Sequence, residues 1–337
     1  MECSMKQWRE AYLQGKNYKA IPILSFPGAS LVGYTVEELV KSGEKQAQCM
    51  EAVAKRYSTG ASVSLMDLSV EAECFGANIV FHEKEVPTVS GVLIAGEQDA
   101  EDLQIPDVGS ARSGECIKGI REAKKRITDR PVLAGMIGPY SLAGRLLDMT
   151  EIMVLCYDEP EMVETVLEKV TAFLIAYAKA FKEAGADGIV MAEPAAGLLS
   201  PGLIAEFSNP YVIRIKEAVE DDSFQFIYHN CGYITPIMQQ INAVQATAFS
   251  VGNAIDMKDA MELLPKDSLI LGNIDPVGTL RNKKPNEIRQ EVLAFLEQFA
   301  SYPNFVMASG CDIPPDTPIE NLDAFFAAIQ EFYGEKA

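Results

Sequence analysis

A histidine and a cysteine lie two positions apart in the stretch Tyr228-His229-Asn230-Cys231-Gly232. The apolar run 224–228 before them predicts a buried strand, and 233–238 after them predicts the start of a helix. Side chains two positions apart in an extended chain project from the same face, so His229 and Cys231 would converge at the carboxyl end of this strand. An imidazole and a thiolate in that arrangement form half of a zinc site.

Cys311 is the candidate for the other half of the site, because it lies just past another predicted strand at 305–308. A set of one histidine and two cysteines leaves the fourth zinc position open, which is typical of a catalytic rather than a structural zinc. Such a zinc can bind a thiol substrate and deprotonate it, which gives a thiolate nucleophile at neutral pH. Glu193, at the end of the predicted strand 189–192, could occupy the fourth position at rest. The alternative is that the histidine and the two cysteines are buried residues without a metal.

The composition is that of a globular protein, since 48% of the 337 residues are apolar and 23% are charged. The N-terminus is polar and no apolar run reaches about 18 residues, so we expect a soluble, cytoplasmic protein without a signal peptide or a membrane segment. Seven cysteines without a framework spacing predict reduced thiols. The net charge of −19 argues against nucleic acids and anionic membranes as partners. It also argues against a substrate with many carboxylates, unless arginines are concentrated at its site.

Short, continuously apolar runs predict eight strands, almost all of them followed by a helical pattern, and these runs are 20–26, 61–66, 131–137, 189–192, 224–228, 246–251, 269–271 and 305–308. Eight alternating units in a chain of this length predict a (β/α)8 barrel. We expect a single domain over residues 1–337, with an N-terminal helical extension at 5–15 and a small hairpin near 79–86. A doubly wound open sheet is the alternative, and it is less favoured because no G-x-G-x-x-G turn follows an early strand.

The barrel predicts where the chemistry lies, because residues that follow the strands collect at its carboxyl-end mouth. Besides His229, Cys231 and Cys311, the polar residues at these positions are Asp67, Tyr140, Glu193, Asn253, Asn273 and Asp275. This concentration of polar and metal-binding residues predicts an enzyme. Asp67 is a candidate catalytic residue, and Tyr140, Asn253, Asn273 and Asp275 are candidates for substrate contacts.

Six stretches carry the motifs of a known family, and they are Phe26-Pro27-Gly28-Ala29, 138–143, 184–187, 229–232, 272–276 and 310–321. Through them nearly the whole chain resembles the uroporphyrinogen decarboxylase superfamily. Within it, the sequence is similar to the cobalamin-dependent methyltransferases typified by methylcobamide:coenzyme M methyltransferases. The H-x-C-G motif at 229–232, together with a late cysteine followed by P-x-x-T-P-x-E-N, is fairly specific to this branch.

The resemblance implies a TIM-type barrel with zinc on His229, Cys231 and Cys311. It implies that a zinc-bound thiolate attacks a methyl group on the cobalt of a corrinoid, which a separate corrinoid protein usually presents. The four candidate contact residues would then meet the thiol or the corrinoid. The chain has no D-x-H-x-x-G motif, so methylcobalamin or another corrinoid must arrive free or on a partner. The sequence does not identify the thiol acceptor. Arg145 is a candidate contact for an anionic group only because of its position in the sequence.

Two other functions remain as alternatives. Asp67 matches an aspartate that binds pyrrole nitrogens in the decarboxylases, but uroporphyrinogen also calls for arginines near the first strand. The segment from Ile21 to Gly43 has no arginine and only one lysine, Lys41, which argues against this decarboxylation. A non-catalytic homologue that binds a corrinoid or a metal is the third possibility, although no ligand position has been lost. A methyltransferase is therefore the favoured prediction.

Overall fold

The structure is a computed structural model that describes residues 4–334, so Cys3, one of the predicted thiols, lies outside the described residues. The strands are β1 Ser62–Val63, β2 Asn78–Val80, β3 Thr88–Ser90, β4 Val132–Ile137, β5 Gly188–Ala192, β6 Gln225–Asn230, β7 Ala248–Val251, β8 Leu269–Ile274 and β9 Phe305–Ser309. The helices are α1 Met5–Leu13, α2 Ala29–Val32, α3 Val36–Val40, α4 Gly43–Arg56, α5 Val70–Cys74, α6 Glu97–Asp102, α7 Ser113–Arg126, α8 Pro139–Leu147, α9 Glu151–Asp158, α10 Pro160–Glu183, α11 Pro201–Phe207, α12 Asn209–Val219, α13 Met238–Ala243, α14 Met257–Leu263, α15 Pro285–Phe299 and α16 Ile319–Tyr333. Short 3-10 turns cover Phe26–Gly28, Pro194–Leu198 and Thr235–Ile237, and a π-helical turn covers Pro276–Arg281.

A curled parallel sheet of seven strands forms the centre of the fold, in the order β1-β4-β5-β6-β7-β8-β9. From β4 to β9 consecutive strands are neighbours, and β1 pairs with β4 because the strands β2 and β3 form a separate sheet. Helices connect the strands on the outside, which is the arrangement of a (β/α)8 barrel. The predicted fold class is therefore confirmed, and the open doubly wound sheet is excluded. None of the helices in residues 4–334 is long and apolar enough to span a membrane, and the six cysteines in this part of the chain are free thiols.

The prediction of a first strand at 20–26 was wrong, although this segment occupies the position of a strand in the barrel. It lies between β9 and β1, where the Ile21 amide donates to the Met307 carbonyl over 2.9 Å and the Gly60 amide donates to the Ala20 carbonyl over 2.8 Å. A regular ladder cannot form here, since Pro22 has no amide hydrogen to donate. The next amide, that of Ile23, donates to a serine hydroxyl instead of a backbone carbonyl. The extended segment thus closes the barrel with only isolated hydrogen bonds.

The barrel interior is filled by apolar side chains that alternate along the strands. In β5, Val190 and Ala192 belong to the interior cluster, whereas Ile189 and Met191 face the surrounding helices. This period of two is the pattern expected when both faces of a strand are buried. The interior is therefore a packed core rather than a channel.

Helix α1 closes the amino-terminal end of the barrel. Its buried side chains Met5, Trp8 and Tyr12 belong to the interior cluster, and a capping box at Ser4 fixes the start of the helix. The Trp8 indole donates to the carbonyl of Gly60, just before β1, over 3.0 Å. The opposite, carboxyl-end mouth is the end at which the candidate site residues lie.

An antiparallel hairpin, β2 paired with β3, follows β1 and α5. It extends beyond the predicted range of 79–86, because the second strand begins only at Thr88. The turn between the strands brings Val86 and Pro87 to the wall of a cavity at the barrel mouth. The hairpin thereby contributes to the candidate site.

Candidate metal centre

The ends of two separate strands bring the three predicted zinc ligands together. His229 lies in β6 and Cys231 directly follows that strand, whereas Cys311 lies two residues beyond β9. Strands β7 and β8 separate β6 from β9 in the sheet, so the closure of the barrel is what brings the residues near each other. One ligand atom from each of the three side chains lies within 4.8 Å of the other two. A single metal ion could contact all three after small side-chain movements.

The orientation of the His229 ring leaves one nitrogen available for a metal. His229 is opposite Ser250 of β7 in the sheet, and its Nδ1 lies 3.0 Å from the Ser250 hydroxyl oxygen. The other ring nitrogen, Nε2, is buried and has no hydrogen-bond partner among the described residues. Buried polar atoms are nearly always paired, and a metal-binding histidine typically uses its second nitrogen to fix the ring. The imidazole therefore fits the geometry of a metal ligand.

The two thiols influence each other strongly. The hydrogen bond from the Cys311 thiol, together with the smaller effect of the nearby His229 ring, lowers the pKa of Cys231 to about 4 against the effect of burial. The same hydrogen bond raises the pKa of the Cys311 thiol above its ordinary value. The site thus favours a thiolate at Cys231 even without a cation. Zinc binds deprotonated cysteine and neutral histidine, and this donor set suits it.

Glycines allow the loops around the donors to pack closely. A Cβ atom at Gly252 would lie 2.6 Å from the Cys231 carbonyl oxygen, and one at Gly310 would lie 2.6 Å from the Asn253 amide nitrogen. The buried side-chain amide of Asn273 donates to the carbonyls of Gly252 and Ile255, each over 2.9 Å. Asn273, predicted as a substrate contact, therefore supports the loop after β7, while Asn253 is exposed on that loop.

The structure does not place Glu193 with the three other predicted ligands. Its Oε2 accepts from the Tyr140 amide over 3.0 Å, and its Oε1 accepts from the Ser141 amide over 2.6 Å and also from the Ser141 hydroxyl. The carboxyl group is fully buried, which raises its pKa to about 7. The prediction of a resting fourth ligand disagrees with this placement. Glu193 instead joins the end of β5 to the first turn of α8.

Tyr140, Asp67 and Asp275 also have structural partners. The Tyr140 side chain is completely buried, with its hydroxyl 3.8 Å from the Cys156 sulfur, which disagrees with a substrate contact. Asp67 pairs with Arg112. Asp275 accepts from two backbone amides, over 2.9 and 2.8 Å, at the start of the π-helical turn. Each position follows a strand as predicted, but the side chain is used to hold the backbone or another side chain.

A cavity of about 220 Å³ opens beside the three donors. Apolar side chains form much of its wall, among them Met66, Leu68 and Pro194, and Arg145 is its one arginine or lysine among the described residues. Sequence reasoning missed most of this wall, because apolar residues after a strand do not stand out from those of the core. The volume corresponds to about seven water molecules, which is enough for a small thiol but not for a macrocycle.

Comparison with known proteins places the chain among methyltransferases of this fold. The methylcobamide:CoM methyltransferase MtaA of Methanosarcina barkeri strain Fusaro is 31% identical, over 98% of this chain and 99% of its own length. MtbA of Methanosarcina acetivorans, also a methylcobamide:CoM methyltransferase, is 28% identical, over 88% of this chain and 90% of its own. The solved structure of a methyltransferase from Methanosarcina mazei superposes with a TM-score of 0.88 at 26% identity, covering 99% of this chain and 100% of that one. The family model for uroporphyrinogen decarboxylase (URO-D) matches residues 11–332, and the chain therefore belongs to the uroporphyrinogen decarboxylase family.

Proposed function

We propose that this chain is a methyltransferase that moves a methyl group from a methylated corrinoid to a small thiol, with zinc held by His229, Cys231 and Cys311. The observation that carries the proposal is the meeting of these three donors at the mouth of the barrel, within 4.8 Å of one another. The similarity to methylcobamide:CoM methyltransferases over almost the full chain supports the class of reaction. The proposed donor set has three protein ligands and leaves room for a thiol as the fourth.

The charge of the donor set suits a thiol substrate. Zinc, when bound, supplies the acidity that lets a thiol lose its proton at neutral pH. The thiolates of Cys231 and Cys311 balance the charge of the dication, so an anionic sulfur would not be repelled strongly. The Ser250 hydroxyl holds the His229 ring with Nε2 free, which keeps the third donor in place without a rearrangement.

Positioning is the main contribution of the chain to this reaction. The thiolate sulfur forms a bond to the methyl carbon while the carbon–cobalt bond breaks, and the electron pair of that bond remains on the corrinoid. No proton has to be moved at the methyl group, so alignment of the two reactants dominates the barrier. The cavity holds the thiol, while the corrin ring, too large for about 220 Å³, would lie across the mouth. The corrinoid is thus a co-substrate, delivered free or by a separate corrinoid protein.

The decarboxylase alternative has less support from the cavity. A substrate with many carboxylates would require several cationic side chains, and Arg145 is the one arginine or lysine among the described wall residues. The aspartate that matches the decarboxylases, Asp67, has its own partner in Arg112. Methyl transfer to a small thiol therefore agrees better with the size and the charge of the site.

Metal analysis of variants tests the proposal. We expect about one zinc per chain in the wild-type protein and a loss of most of this zinc in Cys311→Ser and His229→Ala, because each removes one of three protein donors. Cys74→Ser is the matched control, since Cys74 is a half-buried thiol outside the group. Equal zinc contents in all four proteins would remove the proposed site.

A parallel assay tests the reaction itself. The zinc-loaded protein should demethylate methylcobalamin in the presence of thiols, and the two variants that lose zinc should lose this activity. Release of carbon dioxide from uroporphyrinogen, without demethylation of methylcobalamin by any thiol, would instead establish the decarboxylase alternative.

A further inference from the structure

Asn230 lies between His229 and Cys231 at the end of β6, and its side chain points away from theirs. Alternation along the strand directs the asparagine and its two neighbours to opposite faces of the sheet. The residue is fully buried, yet both polar atoms of its side chain are paired. Its Nδ2 donates to the Glu193 carbonyl over 2.6 Å, and its Oδ1 accepts from the Gly232 amide over 2.9 Å. One side chain therefore joins the ends of two strands.

The bond to Gly232 shapes the chain immediately after β6. An asparagine whose side-chain oxygen accepts from the amide two positions later forms an Asx turn, which bends the chain as a backbone turn does. Cys231 is the residue enclosed by this turn, so the direction of its Cα–Cβ bond depends on the Asn230 side chain. The Gly252 amide donates to the Asn230 carbonyl over 3.0 Å, which fixes the start of the turn.

The position of Cys311 is fixed in a different way. The amides of Gly310 before it and Ile313 after it donate to backbone carbonyls, over 2.7 and 3.1 Å. After Cys231, by contrast, the Gly232 amide donates to the asparagine side chain. A single side-chain replacement can therefore loosen one of the two thiol donors without loosening the other.

The bond to Glu193 holds the Asn230 side chain from outside the turn. Glu193 directly follows β5, and its carboxyl group accepts from the Tyr140 and Ser141 amides at the start of α8. The Asn230 amide is thus attached to a residue that is itself held at another point. Gly197 leaves room for this arrangement, since a Cβ atom there would lie 2.9 Å from the Asn230 Oδ1.

We propose that Asn230 is a positioning residue of the metal centre, because its side-chain amide holds the turn that directs the Cys231 sulfur toward the His229 and Cys311 donors. This inference rests on the proposed function, and it adds a residue that contacts neither the ion nor the substrates. A metal site requires ligands whose orientation is fixed by supporting hydrogen bonds. Residues with this supporting role typically contribute about 10- to 100-fold in metal affinity.

Substitution of cobalt(II) for zinc tests this role. At saturating cobalt, the cobalt–thiolate charge-transfer absorption per bound ion reports the bonds to sulfur independently of affinity. The wild type should show this band at full strength, and Asn230→Ala should weaken it, because the Cys231 sulfur is no longer directed to the ion. The zinc Kd of Asn230→Ala, from competition with a chelator, should rise about 10- to 100-fold. Asn230→Ser retains an acceptor for the Gly232 amide and should recover part of both losses.

A second variant and two matched controls separate positioning from folding. Gly197→Ala leaves Asn230 in the chain but places a Cβ against its Oδ1, and it should weaken the same band. Asn304→Ala removes another buried asparagine, whose amide donates to the Ser268 carbonyl over 3.0 Å at the amino-terminal end of the barrel. Gly202→Ala adds a Cβ where no atom lies within 4 Å. Both controls should keep the band and the zinc Kd, and thermal unfolding verifies that each variant is folded.

The failure of this inference can be distinguished from the failure of the proposed function. A full band and an unchanged zinc Kd in Asn230→Ala and Gly197→Ala would overturn the positioning role, as would an equal loss in Asn304→Ala or no recovery in Asn230→Ser. A wild-type protein without a cobalt–thiolate band would overturn the metal site, and this inference with it. If the band is present and weakened as expected while methylcobalamin is not demethylated with any thiol, the positioning role stands and the methyltransferase function fails.

Discussion

Replacement of Ser250 by alanine should weaken the proposed zinc binding without changing any of the three proposed ligands. The Ser250 hydroxyl oxygen lies 3.0 Å from Nδ1 of His229, and this contact fixes the rotation of the ring. Residues that orient a metal-binding histidine typically contribute 10- to 100-fold in metal affinity. For Ser250→Ala we therefore expect a zinc Kd about 10- to 100-fold higher, which corresponds to about 1.4–2.7 kcal/mol.

A competition titration against a zinc chelator at constant pH measures this change. Ser250→Thr retains the hydroxyl and should keep most of the affinity. Ser268→Ala is the matched control, because Ser268 is also a buried serine next to a strand, and its hydroxyl donates to the Ala246 carbonyl over 2.9 Å at the far end of the barrel. This control removes a hydrogen bond of similar length and should leave the zinc Kd unchanged.

Two results would refute the reasoning about Ser250. One is an unchanged zinc Kd in Ser250→Ala, which would mean that packing alone orients the His229 ring. The other is an equal loss of affinity in Ser268→Ala, which would mean that general destabilisation rather than ring orientation weakens the site.

The other predictions concern a loop and a buried carboxyl group. Gly252→Ala should reduce zinc content, since the added Cβ would lie 2.6 Å from the Cys231 carbonyl oxygen, whereas Gly202→Ala, where no atom lies within 4 Å, should not. Glu71→Gln should flatten the pH dependence of stability. The folded-state pKa of Glu71 is raised from 4.5 to about 7. The free energy of unfolding of the wild type should therefore fall by up to about 3 kcal/mol as pH rises through this interval. Urea unfolding, followed by the fluorescence of Trp8, the only tryptophan, measures this difference.

Clear outcomes would contradict these two predictions. Equal zinc contents in the two glycine variants would show that the loop after β7 can move away from the donors at little cost. Parallel pH profiles of stability for the wild type and Glu71→Gln would show that this carboxyl group titrates alike in the folded and the unfolded protein.

The three donors could be predicted from the sequence because a topological rule places them. His229 and Cys231 at the end of one predicted strand and Cys311 after another must share a rim if the strands are parallel and the sheet closes. The structure brings their ligand atoms within 4.8 Å of one another. The rule does not depend on the details of each strand, so it holds although the backbone around Pro22 is irregular.

The orientation of the other polar side chains could not be predicted in this way. A position after a strand places a residue at the rim, but unpaired backbone amides at helix starts and in loops compete for polar side chains. Glu193 and Asp275 accept from such amides, and Asn273 donates to loop carbonyls. Arg145 lies within a helix, where spacing does not show whether a guanidinium has a partner. These outcomes depend on three-dimensional packing.

The closure of the barrel by α1 has a consequence for the order of events. Because the barrel is closed at its other end, both reactants must enter and leave the cavity through the carboxyl-end mouth. If the corrin ring lies across this mouth, as the proposed function has it, the smaller molecule would enter first, since the macrocycle would otherwise bar its way. The methylated sulfur compound would then leave only after the spent corrinoid has gone. A compulsory sequence of binding and release would thus follow from nine residues at the far end of the protein.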